Sequence, residues 1–212
     1  MLLSNVSRLT LGSALLLAIV LPALVTGCGG GGGGGSTTLI VSGKVVNAGT
    51  LNPVQGALVS AQGQTVTTAG DGTFTLYNLA HNPVVITFGA AAYQTLQQTI
   101  SVPGGGVNIG SVALVPAHRA GTGNVTGTVT VNGLAAAGAS ITGAGASARS
   151  NASGQFTLYN ATPGTQTLTG STSGGAAVGF AQVVVPADST LSGVLLAITS
   201  GPPPPPAPPP VI

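Results

Sequence analysis

Cys28 is the single cysteine of the chain, and its surroundings give a thiol something to do. It closes the stretch Leu24-Val25-Thr26-Gly27-Cys28 and is followed at once by the glycine run Gly29 to Gly35. A lone cysteine excludes an intramolecular disulfide framework and any multi-cysteine metal site. The other residues able to do chemistry are His81, His118, Asp71 and Asp188; there is no glutamate. An enzyme needs a nucleophile, a base or a metal within mutual reach. His81 falls in a turn before a strand and His118 in a linker, and both are expected to be exposed loop residues. No G-x-S-x-G elbow is present, and no histidine or carboxylate pair has metal-ligand spacing. Asp71 precedes Gly72 and is expected to form a turn, because a calcium cage wants several carboxylates. No catalytic residue, metal or cofactor is therefore expected, and the chain is not expected to be an enzyme.

What precedes Cys28 explains the cysteine. Arg8 is the only charge before an uncharged run from Leu9 to Gly27, densest at Ala14 to Leu21. Such a stretch reads as an export signal and stands outside the fold. Its length would also suit a membrane-spanning helix, but Pro22 and the small residues ahead of Cys28 favour cleavage. Leu24 to Cys28 resembles the lipobox of bacterial lipoproteins: an aliphatic residue, small residues, then cysteine. The resemblance implies a cut between Gly27 and Cys28, a diacylglycerol on the sulfur, and acylation (typically palmitate) of the new amine. Two or three chains anchor stably, since each buried methylene contributes about 0.8 kcal/mol and one chain binds only marginally. Gly29 follows the cysteine, so the aspartate retention signal of some bacteria is absent. That favours the outer membrane or cell surface.

Beyond Cys28 the only charges are Lys44, Arg119 and Arg149 against Asp71 and Asp188. Net charge near zero leaves no footprint for nucleic acid. The glycine run contains G-x-G-x-x-G trivially, but a phosphate cradle needs a preceding strand and a following helix, so no nucleotide is expected. Thr, Val and Gly dominate and no segment keeps a helical period, which points to an all-β chain.

An internal repeat sets the organisation. Phe74-Thr75-Leu76-Tyr77-Asn78 recurs as Phe156-Thr157-Leu158-Tyr159-Asn160, and Gly56-Ala57-Leu58-Val59 as Gly138-Ala139-Ser140-Ile141. Ser42-Gly43-Lys44-Val45 corresponds to Thr126-Gly127-Thr128-Val129, and Val102-Pro103 to Val185-Pro186. Val125, Gly127, Val129 and Val131 alternate with threonines, the period of a half-buried strand. Leu96, Ile100 and Val102 share a face that Gln98 interrupts, as an edge strand would. Asp71-Gly72 marks a tight turn before Phe74, and Ser153-Gly154 fills that place before Phe156. Phe74 and Leu76 should point inward, Thr75 and Tyr77 outward.

These motifs, with Asp71-Gly72-Thr73-Phe74-Thr75-Leu76 and Ala92-Tyr93, resemble the carboxypeptidase regulatory-like domain, a transthyretin-like sandwich of the carbohydrate-binding-like folds. The resemblance implies two tandem seven-stranded Greek-key β-sandwiches. It implies little about function, because the family serves mainly as accessory, spacer or binding modules. The second copy departs from the pattern at Ser153 and lacks an Ala-Tyr pair, where Gly179-Phe180 is expected to substitute. A lysine–asparagine crosslink, known in related surface sandwiches, would have only Lys44 and Asn108 to use and no suitable acid.

The expected order is a signal peptide over 1–27, a lipidated Cys28 and glycine tether over 28–37, sandwiches over 38–116 and 124–199 around a 117–123 linker, and a proline-rich tail over 200–212. The tether should span roughly 15–18 Å. The tail should form a stiff polyproline II rod of about 30 Å. The function expected is a non-catalytic, membrane-anchored envelope module for structure, adhesion or display, with a glycan or another envelope protein as partner. The alternative is a carbohydrate-binding module, for which Tyr77 and Tyr159 occupy equivalent outward positions where sugar rings could stack.

Overall fold

The computed structural model describes residues 38–199 apart from 173 and 176. The expected signal, Gly27, Cys28, the glycine tether and the proline-rich tail lie outside the described residues. The described chain is all-β, with sheets that form β-sandwich-like domains.

The N-terminal half contains β1 (Leu39–Asn47), β2 (Leu58–Ala61), β3 (Gln64–Thr67), β4 (Thr73–Leu79), β5 (Val84–Gly89), β6 (Leu96–Ile100) and β7 (Gly106–Leu114). They form one sheet in the order β4-β1-β7 and another in the order β3-β2-β5-β6. The C-terminal half contains β8 (Gly123–Val131), β9 (Leu134–Ala135), β10 (Ser140–Gly143), β11 (Ala146–Arg149), β12 (Gln155–Ala161), β13 (Gly164–Ser171), β14 (Val178–Val185) and β15 (Thr190–Ile198). Its sheets run β12-β8-β15, with β9 added beside β8, and β11-β10-β13-β14. The arrangements correspond strand for strand except for the two-residue β9, which has no counterpart in the first half.

Each half buries its own apolar cluster. Phe74 and Leu76 point inward, as do Phe156 and Leu158, while Tyr77 points out. Val125 and Val129 are buried, with Thr126, Thr128 and Thr130 less so. β6 is an edge strand, as Gln98 implied.

The glycine of the first-strand motif has a packing cause. Gly43 stands opposite Phe74, and Gly127 opposite Phe156, in the antiparallel pairs. A Cβ on Gly43 would lie 3.0 Å from the Phe74 ring, and one on Gly127 2.9 Å from the Phe156 ring. The bare backbone lets each phenylalanine lie across the strand and seal the core. Phe74 also meets Phe88 edge to face, with centroids 5.6 Å apart and an interplanar angle of 73°, a favoured aromatic geometry.

The second half has Gly170 at the place of Phe88 and fills the space from the opposite sheet. The Leu196 side chain occupies the room a Cβ on Gly170 would need. Leu196 in turn corresponds to Val112: each pairs with the matching valine of its half, Val129 and Val45. A larger residue on one sheet thus compensates a missing ring on the other, which keeps the core close-packed.

The second tight turn differs from expectation. Asp71 accepts from the Thr73 N–H at 3.0 Å and the Thr73 hydroxyl at 2.7 Å. In the second half that work falls to Asn151, not Ser153. The Asn151 side-chain oxygen accepts from the N–H groups of Ser153 at 2.9 Å and Gln155 at 3.0 Å. An amide two residues earlier in the turn thus reaches the Gln155 N–H, the counterpart of the Thr73 N–H that Asp71 holds.

Candidate interaction surfaces

The halves meet along a seam. The Arg149 N–H donates to the Gly49 carbonyl at 2.8 Å. Gly49 is buried, and a Cβ there would lie 3.1 Å from both the Thr157 carbonyl oxygen and the Tyr159 ring. Beside this contact lies an open cleft of about 450 Å³, whose lining includes Leu51, Thr128, Arg149, Asn151, Gln155 and Thr157. A smaller one of about 210 Å³ is lined by residues including Asn47, Thr50, Arg119, Tyr159 and Asn160. Both are hydroxyl- and amide-rich with one guanidinium, and neither imidazole nor carboxylate lines them.

The segment between the halves is fastened at both ends. Tyr93 bridges to Pro116, the Gln94 N–H donates to Val115, and the Ala117 N–H to Ala92. Further on, Asn160 accepts from the Arg119 N–H at 2.9 Å and donates to the Ala117 carbonyl at 3.0 Å. Asn160 has φ 55° and its counterpart Asn78 φ 57°. Asparagine tolerates that left-handed conformation better than most residues, which accounts for its recurrence after Phe-Thr-Leu-Tyr.

His118 is exposed as expected, but it has a partner that its position did not suggest. Its Nε2 lies 3.1 Å from Asp188, and Asp188 also accepts from the Gly121 N–H at 2.7 Å. The Gly121 N–H, then His118, hold the Asp188 carboxyl below the usual aspartate range. A histidine–carboxylate pair is part of a general-base device, yet among the described residues no hydroxyl or thiol bonds the ring. The pair fastens the linker to the β14–β15 turn. His81 is exposed, and the Gln62 side chain holds its backbone, accepting from its N–H at 3.1 Å and donating to its carbonyl at 2.6 Å. Among the described residues no group of three or more His, Cys, Asp or Glu could hold a metal ion.

Tyr77 and Tyr159 recur in sequence but differ in setting. Tyr77 is 58% exposed on β4. Tyr159 is half-buried against Gly49 in the seam, and burial pushes its phenol up. The first half meets the seam with the turn after β1 and the second with β11 and β12, so duplication did not keep the two environments alike.

The expected substitution of Phe180 for Tyr93 does not occur. Tyr93 packs on the first core, and its hydroxyl accepts from the Asn47 amide at 3.0 Å. Phe180 falls at an outward position of β14 and is 68% exposed. The lysine–asparagine pair is not brought together either. Lys44 pairs with Ser111, while Asn108 pairs with Ser42 and accepts from the Gly110 N–H at 2.8 Å.

Among the described residues no helix is long and apolar enough to cross a membrane. No family model matches the chain, and no curated protein matches it. Solved structures similar to it include the Bacillus anthracis TIE protein, at 12% identity and TM-score 0.32, over 77% of this chain and 34% of that one. A streptococcal ancillary pilin is 16% identical at TM-score 0.30, over 76% of this chain and 62% of the pilin. The minor pilin GBS52 of Streptococcus agalactiae is 12% identical at TM-score 0.32, over 80% of this chain and 98% of the pilin. The chain thus spans about a third of the TIE protein's length and under two thirds of the ancillary pilin's. At these TM-scores the likeness carries nothing from those proteins to this chain. The class its own residues define is an all-β protein of β-sandwich-like domains joined along a hydrogen-bonded seam.

Proposed function

We propose that the chain is a non-catalytic envelope lipoprotein, exported, cut before Cys28 and anchored there by lipid. It presents two tandem Greek-key sandwiches, over 38–116 and 124–199, as a structural or adhesive display module. The supporting observation is the seam: the Arg149–Gly49 hydrogen bond and the fastened linker couple the two halves, as a spacer that must hold its shape requires.

The test is fractionation of a bacterial host expressing the full chain, with the mass of the product. The expected form is membrane-bound, begins at Cys28 and carries a diacylglyceryl group. Cys28→Ser should release it as uncleaved or soluble material. A processed Cys28→Ser form that stays in the membrane would overturn the reading.

A second reading, binding of an envelope or extracellular polysaccharide, is favoured by aromatic side chains left in water, Tyr77 and Phe180.

A further inference from the structure

Both halves lay the same row of outward side chains across a four-stranded sheet. In the first it runs Thr65, Ser60, Thr87, Gln97. In the second it runs Ser147, Thr142, Thr169, Phe180. Glutamine serves the fold at the final place, where the Gln97 amide donates to the Thr87 hydroxyl at 3.2 Å. The fold therefore has no need of an aromatic there.

Phe180 is nonetheless 68% exposed, with Val184 at 67% and Val178 at 43% on the same face of β14. A half-buried strand ordinarily turns polar side chains to water, so a strand carrying large apolar groups outward is the informative deviation. Gln182 stands between Phe180 and Val184 on that face. On the adjoining β13, Thr169 lies opposite Phe180, Thr167 opposite Gln182, Thr165 opposite Val184 and Ser171 opposite Val178. An apolar ridge, broken by Gln182, thus runs beside a hydroxyl ladder, with a repeat of roughly 6.6–6.8 Å at every second residue. Neither carries a charge, and the guanidinium of this sheet, Arg149, belongs to the opposite edge strand β11.

We propose that ridge and ladder together form a platform for a neutral, unbranched polysaccharide. The inference rests on the second reading above and places its site at Phe180 instead of Tyr77 and Tyr159. An extended sugar polymer offers apolar C–H faces and hydroxyl edges. The faces stack on Phe180 and the flanking valines, and the edges exchange hydrogen bonds with the threonines. A second copy of the chain, or another globular partner, needs about 800 Å² per side. Three side chains of one strand supply well under that. An ionic ligand finds no counter-charge on the platform.

The experiment is co-sedimentation of the full-length chain with insoluble cellulose, chitin and curdlan, with affinity electrophoresis in soluble neutral glucans and in alginate. Retention by at least one neutral polymer is expected, and none by alginate. Phe180→Ala should weaken it at least tenfold at an unchanged melting temperature, Phe180→Tyr should keep it, and Tyr77→Ala should leave it intact. Loss in Tyr77→Ala but not Phe180→Ala would overturn the platform and keep the glycan reading. Retention by none of the polymers would overturn both. A wild-type dimer that Phe180→Ala converts to monomer would overturn the platform in favour of self-association.

Discussion

The backbone carbonyl of Gly49 accepts a 2.8 Å hydrogen bond from the N–H of Arg149, a contact between residues of the two halves. It forms because Gly49 lacks a side chain: a Cβ there would press at 3.1 Å on the Thr157 carbonyl oxygen and the Tyr159 ring. Gly49→Val should wedge the seam open at a cost of about 1–3 kcal/mol, the range for overpacking a close contact. Calorimetry is expected to show one unfolding transition in the wild type and two in the variant, with a larger radius of gyration by solution scattering. Gly89→Ala, where an added Cβ meets nothing within 4 Å, should keep the single transition. An unsplit, unshifted transition in Gly49→Val would show that the halves are not coupled there.

Thr68 and Ser150 are buried polar residues at corresponding positions. The Thr68 hydroxyl accepts from the Ala57 N–H at 2.9 Å and donates to the Val54 carbonyl at 2.6 Å. Ser150 does the same for Ala139 at 2.8 Å and Ala136 at 2.5 Å. Each hydroxyl satisfies backbone groups that would otherwise be buried without partners, a loss of about 1–3 kcal/mol per group. Thr68→Val is therefore expected to lower stability by about 2–3 kcal/mol, and Thr68→Ser by much less, since serine does this work at position 150. Urea titrations should show the shift in midpoint at constant slope. A loss in Thr68→Ser without one in Thr68→Val would mean that methyl packing, not the hydroxyl, matters.

The repeat, the strand alternation and the edge character of β6 were legible because local pattern alone decides them. Phe156 recurs with its glycine, Val125 and Val129 face inward, and Gln98 marks an unpaired edge. What was not legible depends on partners distant in sequence. Gly170 reads as a gap in the second core until Leu196 is seen to fill it from the other sheet. Tyr159 reads as the twin of Tyr77 until the seam buries it. His118 reads as an isolated loop residue, yet Asp188, 70 residues on, is its partner. Only Asn160 left a usable signal, because an asparagine recurring at a strand end suggests a left-handed residue.

The two aspartates set the response to acid. The Thr73 hydroxyl and N–H lower the Asp71 pKa from 3.8, with Lys44 adding to the effect, and the Gly121 N–H and His118 lower that of Asp188. Each folded carboxylate binds a proton less readily than its unfolded counterpart. As pH falls, the unfolded chain takes up protons first. The stability these groups contribute is thus intact above 3.8 and lost as pH falls through their lower folded values. With no other aspartate and no glutamate in the sequence, the melting temperature should decline below about pH 4. In the Asp71→Asn, Asp188→Asn double variant the decline should disappear. Asp71→Asn suits the purpose because Asn151 already caps the equivalent turn without a charge. An undiminished acid decline in the double variant would assign it to groups other than these two carboxylates.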